Sequence, residues 1–336
     1  MADTTFAELG RVEALRQLFE GTGYRPFEEP VCFEAYAHDK VVTASRLLLE
    51  GIDFDLVYFP LKHLGYKSVV EVTGELYASL AHAKTLSVVL GVSAKLDFVQ
   101  IRELFGGITS AAKEHGYDSV SLDLMPSRNG LTISVSATGK VSQLTYKRRP
   151  KPQSKDLICV SGPLGAAYLG LQVLEREKIR FDNGATKSSE SLEKHKMLVG
   201  AYLKPELAAQ AVSQLEDDEL YPSAGYFVTK GLSDAVMRLR RDTGLGAKIY
   251  ADKIPFEGNS FSLGKELDLD PVSAAMNGGD DCRLLFTVPI LKMEKFRHDF
   301  QTFDIIGHLA LEDVGTVLVT PEGVEIPMKA QGWETE

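Results

Sequence analysis

The segment Asn277–Arg283 (Asn-Gly-Gly-Asp-Asp-Cys-Arg) constrains the fold of this chain more than any other stretch. Its two glycines allow a tight turn and a close approach of the backbone to a ligand, and two carboxylates follow at once. The apolar run Leu-Leu-Phe-Thr-Val after them predicts a buried strand that begins at the turn. The pattern fits a ligand site, and it also fits a plain acidic turn, because aspartate favours turns without any further function.

Length and charge limit the class of protein. At 336 residues the chain exceeds the usual size of one domain, so we expect two domains, residues 1–147 and 148–336. The net charge of −10 argues against a dedicated nucleic-acid binder, since such proteins neutralise phosphates with clustered lysine and arginine. The basic run 147–155 contains two prolines and no aromatic residue, which favours a solvated connection between the domains.

The cysteines and the apolar stretches indicate a compartment. Cys32, Cys159 and Cys282 lie far apart without metal-ligand spacing, which fits a reducing cytosol. The beginning of the sequence has no apolar signal core, and the longest apolar stretch, 158–174, is interrupted by glycines and a proline. The sequence therefore predicts a cytoplasmic protein that contacts neither membrane nor nucleic acid.

Apolar periodicity predicts a mixed chain of helices and strands. The predicted helices are 6–20, 62–79, 97–115, 166–178, 205–215 and 232–243. The predicted strands are 40–44, 56–59, 85–92, 119–124, 131–138, 156–161, 225–229, 247–250, 284–288, 305–310 and 315–319, with a polar mobile loop at 181–191. This order favours an α+β fold with two α/β domains over a Rossmann unit.

Several blocks in the same order resemble one known family. The glycine turn with its strand resembles the Gly-Gly-Glu-Asp-Tyr-Glu-Leu-Leu-Phe-Thr-Val segment of thiamine-monophosphate kinases. The blocks 48–56, 60–67, 156–167, 306–308 and 330–333 resemble that family as well. The resemblance implies an aminoimidazole ribonucleotide synthetase-like fold, a homodimer formed through the N-terminal strands, and phosphoryl transfer from ATP to thiamine monophosphate with several Mg²⁺ ions.

The metal ligands that this resemblance implies are mostly replaced. Mg²⁺ needs hard oxygen ligands, and the family supplies carboxylates at six matched positions. At these positions the chain keeps only Glu34, Glu75 and Asp123, and it has Lys230 at another. Ser45 and Phe227 stand where the family has further aspartates, and Leu122 and Leu124 replace small residues beside the phosphates. We therefore predict a degenerate Mg–ATP site.

The resemblance assigns the remaining candidate residues to two groups. Those of the nucleotide site are Thr43, Asp123, Arg149, Thr229 and Lys230. Those of the substrate site are Asp53, Asp280 and Trp333. Simpler interpretations stay open: Trp333 would then cap a core, and Lys230 with Gly231 would be an ordinary helix start.

Three hypotheses follow from these residues. The favoured one is a pseudoenzyme that keeps a binding role for a thiamine-phosphate-like small molecule or for an unknown protein partner, with no assigned catalytic residue and no required cofactor. The second is an active kinase with fewer Mg²⁺ ions, in which Lys230 holds the ATP phosphates as a point charge. The third is another ATP-dependent synthetase of the same superfamily.

Overall fold

The computed structural model of the chain describes residues 11–24, 39–184, 190–300 and 303–330. Contacts between Cα atoms divide it into two units. Unit 1 comprises Met1–Tyr77 and Ala81–Gln143, and unit 2 comprises Ala78–Leu80 and Leu144–Glu336.

The described part of unit 1 consists of three helices and four strands. In chain order they are α1 (Arg11–Phe19), β1 (Lys40–Leu49), α2 (Leu61–Ala78), β2 (His82–Ser93), α3 (Phe98–Glu114), β3 (Ser119–Ser127) and β4 (Thr132–Val141). The strands form one sheet in the order β1-β4-β2-β3. Strands β2 and β3 are parallel and joined through α3, whereas β4 pairs antiparallel with both β1 and β2.

The two faces of this sheet differ in composition. One face is apolar, with Val88, Leu122 and Val135 in register and fully buried. Arg46 lies on this face and its Nε is 3.1 Å from Oε2 of Glu71 in α2, which places that helix over the apolar side. The opposite face carries hydroxyl side chains in two rows across all four strands. These rows are Thr43-Thr138-Thr85-Ser119 and Ser45-Ser136-Ser87-Ser121.

Helix α3 starts where its sequence predicts. Asp97 accepts a hydrogen bond from the backbone N–H of Gln100 (2.8 Å), and the Gln100 side chain accepts one from the Asp97 N–H (3.0 Å). This capping box satisfies two N–H groups that an uncapped helix leaves without partners. The helix ends at Glu114, followed by His115 and a left-handed Gly116.

Unit 2 contains the remaining described elements, the first of which begins at the boundary residue Gln143. The helices are α4 (Gln143–Arg148), α5 (Ala166–Asp182), α6 (Glu190–Lys194), α7 (Lys196–Leu203), α8 (Ala211–Asp217), α9 (Leu232–Thr243), α10 (Ser260–Leu267), α11 (Pro271–Asn277) and α12 (Met293–Asp299). The strands are β5 (Leu157–Val160), β6 (Ala224–Val228), β7 (Gly246–Tyr250), β8 (Arg283–Val288), β9 (Asp304–Ala310), β10 (Thr316–Val319) and β11 (Glu325–Pro327).

The strands of unit 2 form one sheet in the order β11-β10-β7-β9-β5-β8-β6. One apolar cluster joins this sheet to α9 and α11 and includes Ile158, Leu285 and Val236. A second cluster, with Leu169, Leu198 and Leu263, joins helices α5, α7 and α10. The glycine turn before β8 therefore links α11, in the first cluster, to the strand that lies next to the edge strand β6.

The structure corrects several predicted elements. The predicted strand 56–59 is a turn, because the carboxylate of Asp55 accepts a hydrogen bond from the Val57 N–H (2.8 Å) and bends the chain. The predicted helix 205–215 begins only at Ala211. Residues Phe181 and Asp182 of the predicted mobile loop belong to α5, while 185–189 lie outside the described residues.

Part of the predicted interdomain connection is also helical. Lys147 and Arg148 lie in the last turn of α4. Arg148 Nη1 is 2.6 Å from Oε1 of Glu219, so this residue is tied to the turn after α8.

No helix in the described parts of the chain is both long enough and apolar enough to span a membrane.

Candidate functional site

Two turns of unit 2 meet at the start of α9. The first turn, Gly278–Cys282, connects α11 to β8, and the second, Thr229–Gly231, connects β6 to α9. The backbone N–H of Asp280 donates a hydrogen bond to the carbonyl oxygen of Thr229 (2.8 Å). The structure thus brings together three of the predicted site residues, Thr229, Lys230 and Asp280.

Glycine is required at two positions of this contact. Gly231 has φ +86° and ψ 162°, a conformation that side-chain-bearing residues rarely adopt, and a Cβ there would lie 2.4 Å from the carbonyl oxygen of Met276. Gly279 has φ +84°, and a Cβ there would lie 3.1 Å from the Thr229 carbonyl oxygen. The two turns therefore approach each other backbone to backbone.

The start of α9 has the electrostatic character of an anion site. No side chain caps its N-terminus, where Gly231 is the capping residue. Backbone N–H groups at a helix start carry partial positive charge, and Lys230 beside them is exposed and adds a full positive charge. The half-buried carboxylate of Asp280 lies on the adjoining turn. A phosphate bound at the start of α9 would therefore contact the backbone N–H groups of the helix and Lys230.

Asp281, directly after Asp280, has a different role. Its side chain is buried, and its two carboxylate oxygens accept hydrogen bonds from the backbone N–H groups of Gly165 (2.8 Å) and Ala167 (3.2 Å). Asp281, which is distant in the sequence, thereby caps the N-terminus of α5. Burial raises the pKa of Asp281 to about 7, although both hydrogen bonds and nearby Arg283 oppose that rise.

Arg149 is the second positive group of this unit that the resemblance assigns to a nucleotide. It lies near Tyr226 of β6, and burial lowers the pKa of its guanidinium. Within the described ranges, no hydrogen bond or ion pair joins this guanidinium to another side chain. Arg238, on the same tyrosine, is by contrast bound to Asp234 (3.0 Å) and to the Phe227 carbonyl oxygen (2.6 Å). Arg149 is thus the arginine beside Tyr226 that can accept an anionic ligand.

The predicted site residues of unit 1 lie at separate places. Thr43 is exposed on the hydroxyl face of the sheet. Asp123 lies on that same face, in register with Val89, and its Oδ1 accepts the N–H of Leu124 (2.8 Å). Glu75 is on α2, which covers the opposite face. The structure therefore does not bring Glu75 and Asp123 together.

Asp53 belongs to the turn that follows β1. Its Oδ2 accepts the backbone N–H of Leu49 (2.7 Å), and its own N–H donates to the Leu49 carbonyl oxygen (2.9 Å). This carboxylate therefore stabilises the end of the strand. Glu34 and Trp333 lie outside the described residues.

Two of the residues that differ from the family at the predicted Mg–ATP site lie in apolar cores. Phe227 is fully buried in β6, and Leu122 is fully buried on the helix-covered face of unit 1. Within the parts of the chain that the structure describes, no group of three or more His, Cys, Asp or Glu side chains is arranged to hold a metal ion. Glu75 and Asp123 therefore form no such group with other described side chains, and Glu34 lies outside the described residues.

Comparison with known proteins confirms the resemblance at the level of homology. Residues 29–141 match the family model described as AIR synthase related protein, N-terminal domain. Thiamine-monophosphate kinase of Aquifex aeolicus (strain VF5) is 23% identical over 282 residues, which cover 84% of this chain and 86% of that protein. The corresponding protein of Pyrococcus horikoshii is 28% identical over 246 residues, covering 73% of this chain and 70% of that protein.

A solved structure confirms the predicted fold. E. coli HypE, a hydrogenase maturation protein, has a TM-score of 0.72 at 16% identity, covering 96% of this chain and 98% of that chain. At a sequence identity this low, the structural similarity shows only that the two chains share a fold. The chain thus has thiamine-monophosphate kinases among its homologues and adopts the AIR synthase-like fold.

Proposed function

We propose that the chain is a thiamine-monophosphate kinase-like binding protein in which kinase chemistry is impaired or lost. It would hold a small phosphate-bearing molecule by its own cations instead of by Mg²⁺. The observation that carries this proposal is Lys230, an exposed lysine at the uncapped start of α9, at a position where the resemblance implies an aspartate in the kinases.

Charge supports the binding half of the proposal. A phosphate dianion at the start of α9 would be neutralised by Lys230 and by the N–H groups of the first turn. Asp280 would reject a second anionic group on that side, which favours a ligand with a neutral or cationic part next to its phosphate. Thiamine monophosphate, with its positively charged ring, has this distribution of charge.

The arrangement of the carboxylate side chains supports the second half of the proposal, which is the loss of kinase chemistry. ATP chemistry in this fold needs divalent cations to neutralise the phosphates, and such ions need several carboxylate oxygens. Among the described residues no such cluster exists, and the retained pair Glu75 and Asp123 is split between opposite sides of a sheet. An ammonium group at a position that should hold a cation also repels that cation.

A thermal-shift experiment combined with a product assay tests the proposal. A ligand that binds only the folded state raises the melting temperature by mass action. We expect thiamine monophosphate to raise it, and we expect MgATP to add no further rise and to yield no thiamine diphosphate. Formation of product together with a Mg²⁺-dependent shift by ATP would contradict the proposal.

The alternative function is an active thiamine-phosphate kinase with fewer metal ions, thiamine monophosphate and ATP giving thiamine diphosphate and ADP. The observation that favours it is also Lys230, since an ammonium group can bridge the phosphates of ATP as a point charge. The product assay separates the two functions, because only the alternative predicts turnover.

We also infer a cytoplasmic homodimer that forms through the strands of unit 1. Cys159 and Cys282 are buried and form no disulfide, which supports a reducing compartment. Leu47 of β1 lies on the same face of the sheet as the hydroxyl rows, and its side chain is 52% exposed. Light scattering after size exclusion should show a dimer that Leu47→Asp dissociates and that Val99→Asp, an exposed position on α3, leaves intact. A monomeric wild-type chain would rule the interface out.

A further inference from the structure

A pocket of about 320 Å³ lies in unit 2 between the start of β5 and helix α12. Three of its lining residues are cationic, Lys155, Lys253 and Arg297. They come from three separate segments: the loop before β5, the single helical turn after β7, and α12. The fold therefore gathers positive charge in one concave pocket from three residues that are distant from one another in the sequence.

These three cations have no acidic partner. Among the described residues none of the three takes part in an ion pair, and no aspartate or glutamate lines the pocket. Glu325, on β11, is bound to Lys248 of β7. In a chain with a net charge of −10, three unpaired cations around one cavity create a local positive potential that favours anions.

The rest of the lining is aromatic and apolar. The rings of Tyr250 and His308 lie 5.8 Å apart at 30°, and the Tyr250 hydroxyl is 3.4 Å from Nδ1 of His308. Burial and the neighbouring Lys248 lower the pKa of His308, which keeps this ring uncharged at neutral pH. Leu157 and Ile305 add aliphatic surface. A flat apolar group can contact these rings while its anionic end faces the cations.

This pocket is distinct from the candidate site at the start of α9. Leu157 is the first residue of β5, whereas Asp281 contacts the chain at Gly165, beyond the last residue of that strand. The two places therefore lie toward opposite ends of β5. The three cations of the pocket lie outside the blocks that resemble the kinases, whereas Leu157, Gly307 and His308 belong to them.

We propose that this pocket binds a phosphate monoester of a small uncharged aromatic or heterocyclic compound. Its volume lies at the lower end of the range of small-molecule sites and accommodates one ring with one phosphate. Three cations match the two negative charges of the ester and disfavour a positively charged ring such as that of thiamine. The inference does not rest on the function proposed above, because it uses different residues.

Isothermal titration calorimetry on the full chain with phenyl phosphate tests this site. We expect saturable binding of one molecule that weakens with added salt, and weaker or no binding of phenol and of inorganic phosphate. Arg297→Ala and Lys253→Ala should each lower the affinity about tenfold, since each removes one charge-assisted contact. Lys265→Ala, which removes an exposed lysine on α10 that does not line the pocket, should leave the affinity unchanged.

Both pocket substitutions are at exposed positions, so the variants should fold, and their melting curves check this. Unchanged affinity in the Lys253→Ala/Arg297→Ala double variant would overturn the proposal. Inorganic phosphate binding as tightly as phenyl phosphate, or thiamine monophosphate competing at the same strength, would overturn the ligand class. If thiamine monophosphate does not bind at Lys230, only the function proposed above is contradicted. The titration with phenyl phosphate would be unaffected, because it reports on different residues.

Discussion

In unit 1, His115 follows the C-terminal end of α3, whereas in unit 2 Asp281 closes the N-terminal end of α5. Both side chains are about 5% exposed or less, and burial shifts the pKa of each toward its uncharged form. His115 makes one side-chain hydrogen bond, between Nδ1 and the Tyr77 hydroxyl (3.1 Å), while the carboxylate of Asp281 has two backbone donors. The folded state thus disfavours charge on both residues, and the pH at which each charge appears differs.

The two adjacent aspartates of the glycine turn differ in what they contact. The carboxylate of Asp281 accepts hydrogen bonds at the start of α5, whereas the backbone N–H of Asp280 donates to Thr229, the residue before Lys230. A ligand at α9 therefore meets Asp280 and Lys230 and does not meet Asp281. Four predictions test this division, from the largest expected effect to the smallest.

The largest effect concerns Asp281. Its pKa is raised from 3.8 to about 7 in the folded state, so its contribution to stability is fully present below pH 4 and is lost as the pH rises to 7. The loss amounts to about 4 kcal/mol of unfolding free energy. Urea unfolding of the wild type and of Asp281→Asn between pH 4 and pH 8 measures this loss. It is the difference between the pH dependences of the two unfolding free energies. Parallel pH profiles would show that Asp281 is ionised without cost.

His115 should behave in the opposite way. Its pKa is lowered from 6.5 to about 4, so its contribution is fully present above pH 6.5 and is lost as the pH falls to 4. The expected loss is about 3 kcal/mol. His115→Gln keeps a hydrogen-bonding group near Tyr77 and should remove this part of the acid sensitivity. An equally acid-sensitive variant would assign the loss to other residues.

The two glycines that flank α9 offer a matched pair. Gly231 and Gly244 both have positive φ, but a Cβ at Gly231 would collide with the Met276 carbonyl oxygen while a Cβ at Gly244 has open space. We expect Gly231→Ala to lower the unfolding free energy by roughly 2–3 kcal/mol and Gly244→Ala by about 1 kcal/mol. Equal losses in thermal unfolding would mean that the backbone at Gly231 does not approach Met276 at the end of α11.

The smallest effect on stability, and the most specific effect on binding, is expected at Lys230. Lys230→Ala should change the unfolding free energy by less than about 0.5 kcal/mol, because the side chain is exposed. It should weaken thiamine monophosphate binding about five- to tenfold by removing one charged contact. Lys265→Ala is the control. Unchanged affinity in a calorimetric titration would remove the proposed phosphate contact.

Where local chemistry determines an element, the sequence predicted it well. Helix α9 spans Leu232–Thr243 as predicted, because glycines at 231 and 244 mark both of its ends. The predicted strands of the sheets are present at their places apart from 56–59. Helices α7 and α10 were not predicted, since their short apolar segments find their partners in the cluster formed with α5. Helix α11 was not predicted either, and it contributes to both apolar clusters.

The candidate site shows the same limit. The glycine turn and its two aspartates were visible as a motif, but the sequence could not show that Asp281 reaches the start of α5, more than a hundred residues away. The resemblance aligns Leu122 with a small residue beside the phosphates and Phe227 with an aspartate, and the structure places both in apolar cores. The basic pocket had no local signal at all, because only Lys155 lies in the recognised basic run.

The central claim is that cations of the chain, and not divalent metal ions, neutralise the phosphate of its ligand. The most direct test is the dissociation constant of thiamine monophosphate measured by calorimetry with Mg²⁺ and again with EDTA. We predict that the two values agree within about twofold or that Mg²⁺ weakens binding, since Lys230 competes with the ion for the phosphate. Binding that Mg²⁺ strengthens a hundredfold, about 2.7 kcal/mol, would contradict the account.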